Sequence, residues 1–204
     1  MTGRAQGGTA VLAFAPHSGW AAVVALGGGA ANPEVLVRGR VEMAEPRLAG
    51  SKQPYHAVEG LPVPEAERRL SRFSEAARRN ASHGIGAVVA DLGSRGRIPR
   101  VAGILESAGR KGANLAAILA SHALIHTADG DHFREALARA SEGLGLRVTR
   151  VRQRDLVGRA TTLLGRSEGE LAAAVLALGK RLGPPWGADQ KSAALLAWML
   201  LASR

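Results

Sequence analysis

The sequence contains no cysteine. Disulfides, thiolate metal sites and cysteine nucleophiles are therefore excluded. A cysteine-free chain suits a reducing compartment, so the expectation is a cytoplasmic protein. Aromatic residues make up only 3% of the chain, and Ala, Val and Leu must build the core. No run of apolar residues is long enough to span a bilayer. The longest, Ser192 to Ala202, falls short of the roughly 18 residues that a span requires. Met1 to Thr9 is Gly-rich and polar and lacks the apolar stretch of a signal peptide. Acidic residues are outnumbered, 17 against 27 Lys and Arg, and the formal charge is +10. Such an excess attracts polyanions, nucleic acid above all, although an Arg- and Ala-rich composition is also what a GC-rich genome produces. There is no G-x-S-x-G elbow. Gly27–Gly28–Gly29 lacks the Lys and Ser/Thr of a phosphate-cradling loop.

What is present is a globular pattern, 46% hydrophobic over 204 residues. That length suits a single α/β domain, residues 10–204, after a flexible N-terminus, residues 1–9. Val11 to Ala15 reads as a buried strand and Pro16 to Gly19 as a turn. Trp20 to Leu26 is a second strand. In Val35 to Met43, Val35, Val37, Val41 and Met43 share one face, and Arg38, Arg40 and Glu42 share the other. Three strands with short joins form a meander. Pro64 opens a helix whose stripe is Ala66, Leu70, Phe73 and Ala77, and Gly84 is expected to end it. The unalternating run Ile85 to Ala90 predicts a strand buried on both faces, with Asp91 at its C-terminal end, where parallel sheets bind ligands. Helices are expected over residues 99–108, 114–125 and 131–144, and a last strand over 146–151. Further helices are expected over 155–164, 168–182 and 188–203. The final helix is apolar nearly all round beyond Ser192, which calls for burial in the core or against a second copy in a homodimer.

This order of elements resembles the ribonuclease-H-like fold. Within that superfamily it is similar to the RuvC-type Holliday-junction resolvases. Three stretches carry the resemblance: Phe14–Ala15–Pro16–His17–Ser18–Gly19–Trp20 at the first hairpin, Asp91 as an acid ending the fourth strand, and Gly187–Ala188–Asp189–Gln190 opening the last helix. The resemblance implies a mixed sheet that begins with the antiparallel meander, continues through helix–strand units and closes with a C-terminal helix. It also implies Asp91 and Asp189 as catalytic and metal-binding carboxylates for Mg²⁺ or Mn²⁺. The family's first-strand carboxylate bridges the two ions, and here that position is Ala15, whose methyl group cannot ligate a metal. The resemblance thus implies a degenerate active site in a nucleic-acid-binding protein. The rival readings are an active, structure-selective endonuclease with a substitute ligand, and a non-catalytic scaffold that retained the fold.

Two further groups have the right chemistry. Arg95, Arg97 and Arg100 follow Asp91, and Arg147, Arg150, Arg152 and Arg154 lie on and after the last strand. Guanidinium suits bidentate phosphate contact, although charged residues also protect an edge strand from aggregation. His122 and His126 are spaced i, i+4, and Asp129, Asp131 and His132 follow. This is a candidate cluster of imidazole and carboxylate metal ligands, with Asp129 and Asp131 also suited to starting a new helix.

Overall fold

The structure is a computed structural model that describes residues 8–107 and 112–203. Residues 1–7, most of the expected flexible N-terminus, lie outside the described residues. Strand β1 (Gly8–His17) turns through Ser18 and Gly19 into β2 (Trp20–Gly29), and β2 turns through Ala30 and Ala31 into β3 (Asn32–Glu42). Gly19 has a φ of +84°, a left-handed conformation that glycine adopts without steric cost. The meander is antiparallel, as the residue pattern indicates. Strand β4 (Arg97–Glu106) runs parallel to β1, and β5 (Arg147–Arg152) runs parallel to β4. The sheet order is β3-β2-β1-β4-β5.

The strand expected at Ile85 to Ala90 is instead the last part of one long helix, α1 (Val63–Ser94). Gly84 does not stop that helix. A Cβ there would lie 3.0 Å from Val41 Cγ1, so the glycine lets α1 approach β3 closely. The apolar run is a helical face from which Ile85 is fully buried, and a short apolar run cannot separate the two structures by periodicity. The helix expected from Pro99 is likewise wrong, because Pro99 lies inside β4. Its missing N–H is harmless there, since β5 pairs with β4 only from Val101 onward. Arg100 is the extra residue of a bulge, with Ala10 opposite Pro99 and Val11 opposite Val101. A second bulge, at Leu36, turns Val35 to the opposite face from Val37 and Val41 and breaks the single apolar face expected for β3.

The remaining helices are α2 (Leu115–Leu119), α3 (His122–Gly143), α4 (Leu156–Leu164), α5 (Glu168–Lys180) and α6 (Ala188–Ala202). Helix α3 is continuous through the point where a break was expected, so Asp129 and Asp131 are mid-helix residues and not caps. The sheet has two covered faces. Val11, Ala13 and Ala15 pack with α4, α5 and α6, while Ala10, Leu12 and Phe14 pack with α1 and α3. The nearly all-apolar α6 is consumed by this core. Its Trp198 is fully buried and donates its indole N–H to the Ala30 carbonyl at 2.8 Å. The apolar surface of α6 is thus buried within the chain's own core. No helix among the described residues is long and apolar enough to cross a membrane.

Close packing of α6 on β4 depends on Gly103. A Cβ at that position would stand 2.6 Å from Leu200 Cδ1 and 2.8 Å from Leu196 Cγ. Gly103→Ala is expected to destabilise the fold by about 1–3 kcal/mol through overpacking. Urea unfolding checks this, and an unchanged midpoint would contradict the close packing.

Candidate functional site

The C-terminal ends of β1, β4 and β5 gather the polar residues of the sheet around the start of α6. His17 ends β1, and its Nε2 lies 2.9 Å from Asp189 Oδ1 on the first turn of α6. The His17 ring stacks on Trp20 with centroids 4.4 Å apart, and the Arg40 guanidinium lies 3.9 Å from the centroid of the Trp20 ring. Gln153, just past β5, donates to Ser192 Oγ at 3.1 Å and ties the end of the sheet to α6. Exposed Arg152 and Arg154 lie on this side, with Arg154 Nε 3.5 Å from Asp155.

Strand alternation decides which groups meet. Ala15 and Leu105 both lie in the α6-side core, so at the ends of the two central strands this face carries a methyl and an isobutyl group. The next residue of β4, Glu106, is the acid that does end the fourth strand. It belongs to the other face with Ile104, and it is bound there by Arg150 at 3.1 Å. Arg150 also meets Glu135 of α3 at 2.7 Å. Partial burial opposes the charge on Arg150, but the hydrogen bonds it donates to Glu135 and Glu106 outweigh it and hold the guanidinium above its ordinary pKa. Burial works against ionisation of Glu135, and Arg150 and Arg139 overcome it to lower that carboxyl's pKa.

The expected pairing of Asp91 with Asp189 is not formed. Asp91 is exposed in the last turn of α1 and is paired with Arg95, which also donates to the Leu36 carbonyl at 3.1 Å. Leu36 packs beside Gly27, and Gly27 pairs with Ala10, so Asp91 sits at the beginning of β1. Asp189 sits at its end. At roughly 3.3 Å per residue, the seven steps from Ala10 to His17 separate the two by about 23 Å along the strand. The misplacement follows from reading a helical turn as a strand end. Two divalent ions bridged by carboxylates do not fit these residues: the central position is Ala15, its neighbour is Leu105, Glu106 faces away, and Asp189 is engaged by His17.

The arginines divide in the same way. Arg95, Arg97 and Arg100 lie at the beginning of β4, with Arg97 3.7 Å from Glu34, while Arg147 is exposed where β5 starts. Arg150 is committed to two carboxylates. Arg152 and Arg154 are left at the Asp189 end. The seven thus fall into groups at the two ends of the parallel strands, with Arg150 between them.

The second cluster is reorganised around a residue that no sequence motif marks. His56, on a 3-10 turn (His56–Val58) in the loop after β3, meets His122 and His126 of α3, with ring centroids 5.3 and 4.5 Å away. Asp129 is buried and faces His56 and the Tyr55 backbone. Asp131 pairs with Arg134 at 3.5 Å. His132 lies apart, in a cleft of about 630 Å³ that Tyr55, Arg78 and Asp131 also line. His56 escapes a reading of local pattern because it stands 66 positions before His122 in an irregular, Pro-containing loop.

No family model and no curated protein matches the chain. Solved structures do. Thermus thermophilus RuvC in complex with a Holliday junction substrate aligns with a TM-score of 0.54 and 12% identity, over 96% of this chain and 94% of that one. A second Thermus thermophilus RuvC structure aligns with a TM-score of 0.47 and 16% identity, over 97% and 95%. The first likeness establishes the fold as RuvC-like and ribonuclease-H-like across nearly the whole chain.

Burial pushes the His132 pKa below its usual value, against the opposing influence of Asp129 and a bond to the Phe73 backbone. The unfolded chain therefore takes up the extra proton more readily than the folded one. The stability contributed by neutral His132 is complete above the unfolded pKa of about 6.5 and is lost as the pH falls below it. His132→Gln should flatten the decline in unfolding free energy between pH 7.5 and 5.5. An unchanged slope would show that His132 is not the titrating group.

Proposed function

We propose that this chain is a cytoplasmic nucleic-acid-binding protein that uses a RuvC-like fold for shape-sensitive binding without two-metal cleavage. One observation carries the reading: at the sheet end where a resolvase would hold its ions, the side chains are Ala15, Leu105 and a His17–Asp189 contact, bordered by exposed arginines. Removing the central carboxylates removes the ligands for hard divalent ions. It also removes negative charge that would repel phosphate, and the net charge of +10 then acts unopposed over long range.

The similar RuvC structure that contains a Holliday junction makes a branched duplex the substrate to try first. Contacts would come from Arg152, Arg154 and Lys191 around the start of α6, because these lie at the same end of the sheet as His17. They would read backbone position and not base identity. The near-absence of aromatics argues against stacking on single strands.

Fluorescence anisotropy should show a four-way junction bound more tightly than a linear duplex, with affinity falling as salt rises. Denaturing gels should show no strand cuts with Mg²⁺ or Mn²⁺. Replacing Arg152 and Arg154 with Ala should reduce the logarithmic salt slope by about 0.9 for each phosphate that is no longer neutralised. Replacing Arg95 and Arg97 should leave it unchanged. Absence of binding near physiological salt would leave the scaffold reading, and metal-dependent cutting would restore the nuclease.

A further inference from the structure

We infer that His56, His122 and His126 form a binding site for one zinc-like divalent ion, independent of any nucleic-acid binding. One nitrogen from each ring lies within 4.8 Å of the corresponding nitrogens of the other two. A tetrahedral zinc ion with Zn–N bonds of about 2.0–2.1 Å needs its donor atoms about 3.3 Å apart. His122 Nε2 and His126 Nε2 already stand 3.1 Å apart, one helical turn from each other on α3. The third ring has only to close a short remaining distance from the loop.

The outer shell is also in place. Asp129 Oδ2 accepts from His56 Nδ1 at 2.5 Å, and Asp129 Oδ1 accepts from the Tyr55 backbone N–H at 2.7 Å. The carboxylate is only 4% exposed and is therefore held by these bonds. A proton fixed on Nδ1 leaves Nε2 of His56 as the free lone pair, on a ring that lies against both α3 histidines. Carboxylate–histidine–metal relays of this kind orient imidazole ligands and raise their basicity.

The donor set selects the ion. Three neutral nitrogens suit zinc, cobalt, nickel or copper, and they do not suit Mg²⁺, which requires oxygen ligands. His122 and His126 are exposed, so the fourth position opens to solvent. The ion would clamp the loop after β3 onto α3.

The test uses the full-length, tag-free chain after treatment with a chelator. Titration with ZnCl₂ should show one ion per chain, and Co²⁺ should give the intense visible bands of a four-coordinate nitrogen site. MgCl₂ should give no heat. The double variant His122→Gln, His126→Gln changes only exposed side chains and should abolish both signals with the circular dichroism spectrum unchanged. Asp129→Asn should weaken binding by about 10–100-fold, the usual effect of losing an outer-shell partner. No zinc binding by the native chain, or equal binding by the double variant, would overturn the assignment. Junction binding by the double variant should persist, and this separates the two readings.

Discussion

Burial of β1 on both faces is the constraint from which the rest of the structure follows. From Ala10 to Phe14 every residue is fully buried, and Ala15 is nearly so. A strand enclosed in this way must send alternate residues into two different cores. One core is closed by α6 and the other by α1 and α3. Parallel pairing with β4 extends the same division across the sheet, so a residue's position in the alternation fixes its neighbours. Leu105 joins Ala15 under α6, while Glu106, one residue later, joins Arg150 and Glu135 under α3. An acid at the end of the fourth strand is thus present and still belongs to the wrong face for a shared metal.

The same division governs the charges. Three carboxylates have close basic partners: Asp189 meets the His17 imidazole, Glu106 meets Arg150, and Asp91 meets Arg95. Pairing of this kind satisfies partly buried groups and fixes side-chain positions, but it adds little net stability at exposed sites. It also withdraws those groups from other work. The arginines that could meet phosphate are the ones that local carboxylates do not claim. Among the described residues, Asp91, Glu106 and Asp189 lie apart, while the rings of His56, His122 and His126 converge beside α3.

Much of the architecture was legible from residue patterns. The meander from Val11 to Met43, the last strand near Val148 and the three final helices follow directly from apolar period and from glycine and proline punctuation. The segment between Gly84 and Ala108 was not legible. Ile85 to Ala90 is too short and too uniformly apolar to distinguish helix from strand, and Pro99 is as acceptable near the start of a strand, where β5 does not yet pair with β4, as at the start of a helix. That single exchange moved the candidate acid from Glu106 to Asp91.

The sequence by itself determined the absence of thiol chemistry, the basic charge, the mixed α/β class and the methyl group at position 15, because these depend on residue identity and local periodicity alone. Tertiary structure decided which groups meet. His17 reaches Asp189 across 172 positions, and His56 reaches His122 across 66. Such contacts arise from strand pairing and helix packing, which bring distant segments together through the burial of apolar surface, and that burial carries no local signature for the polar residues it happens to place side by side.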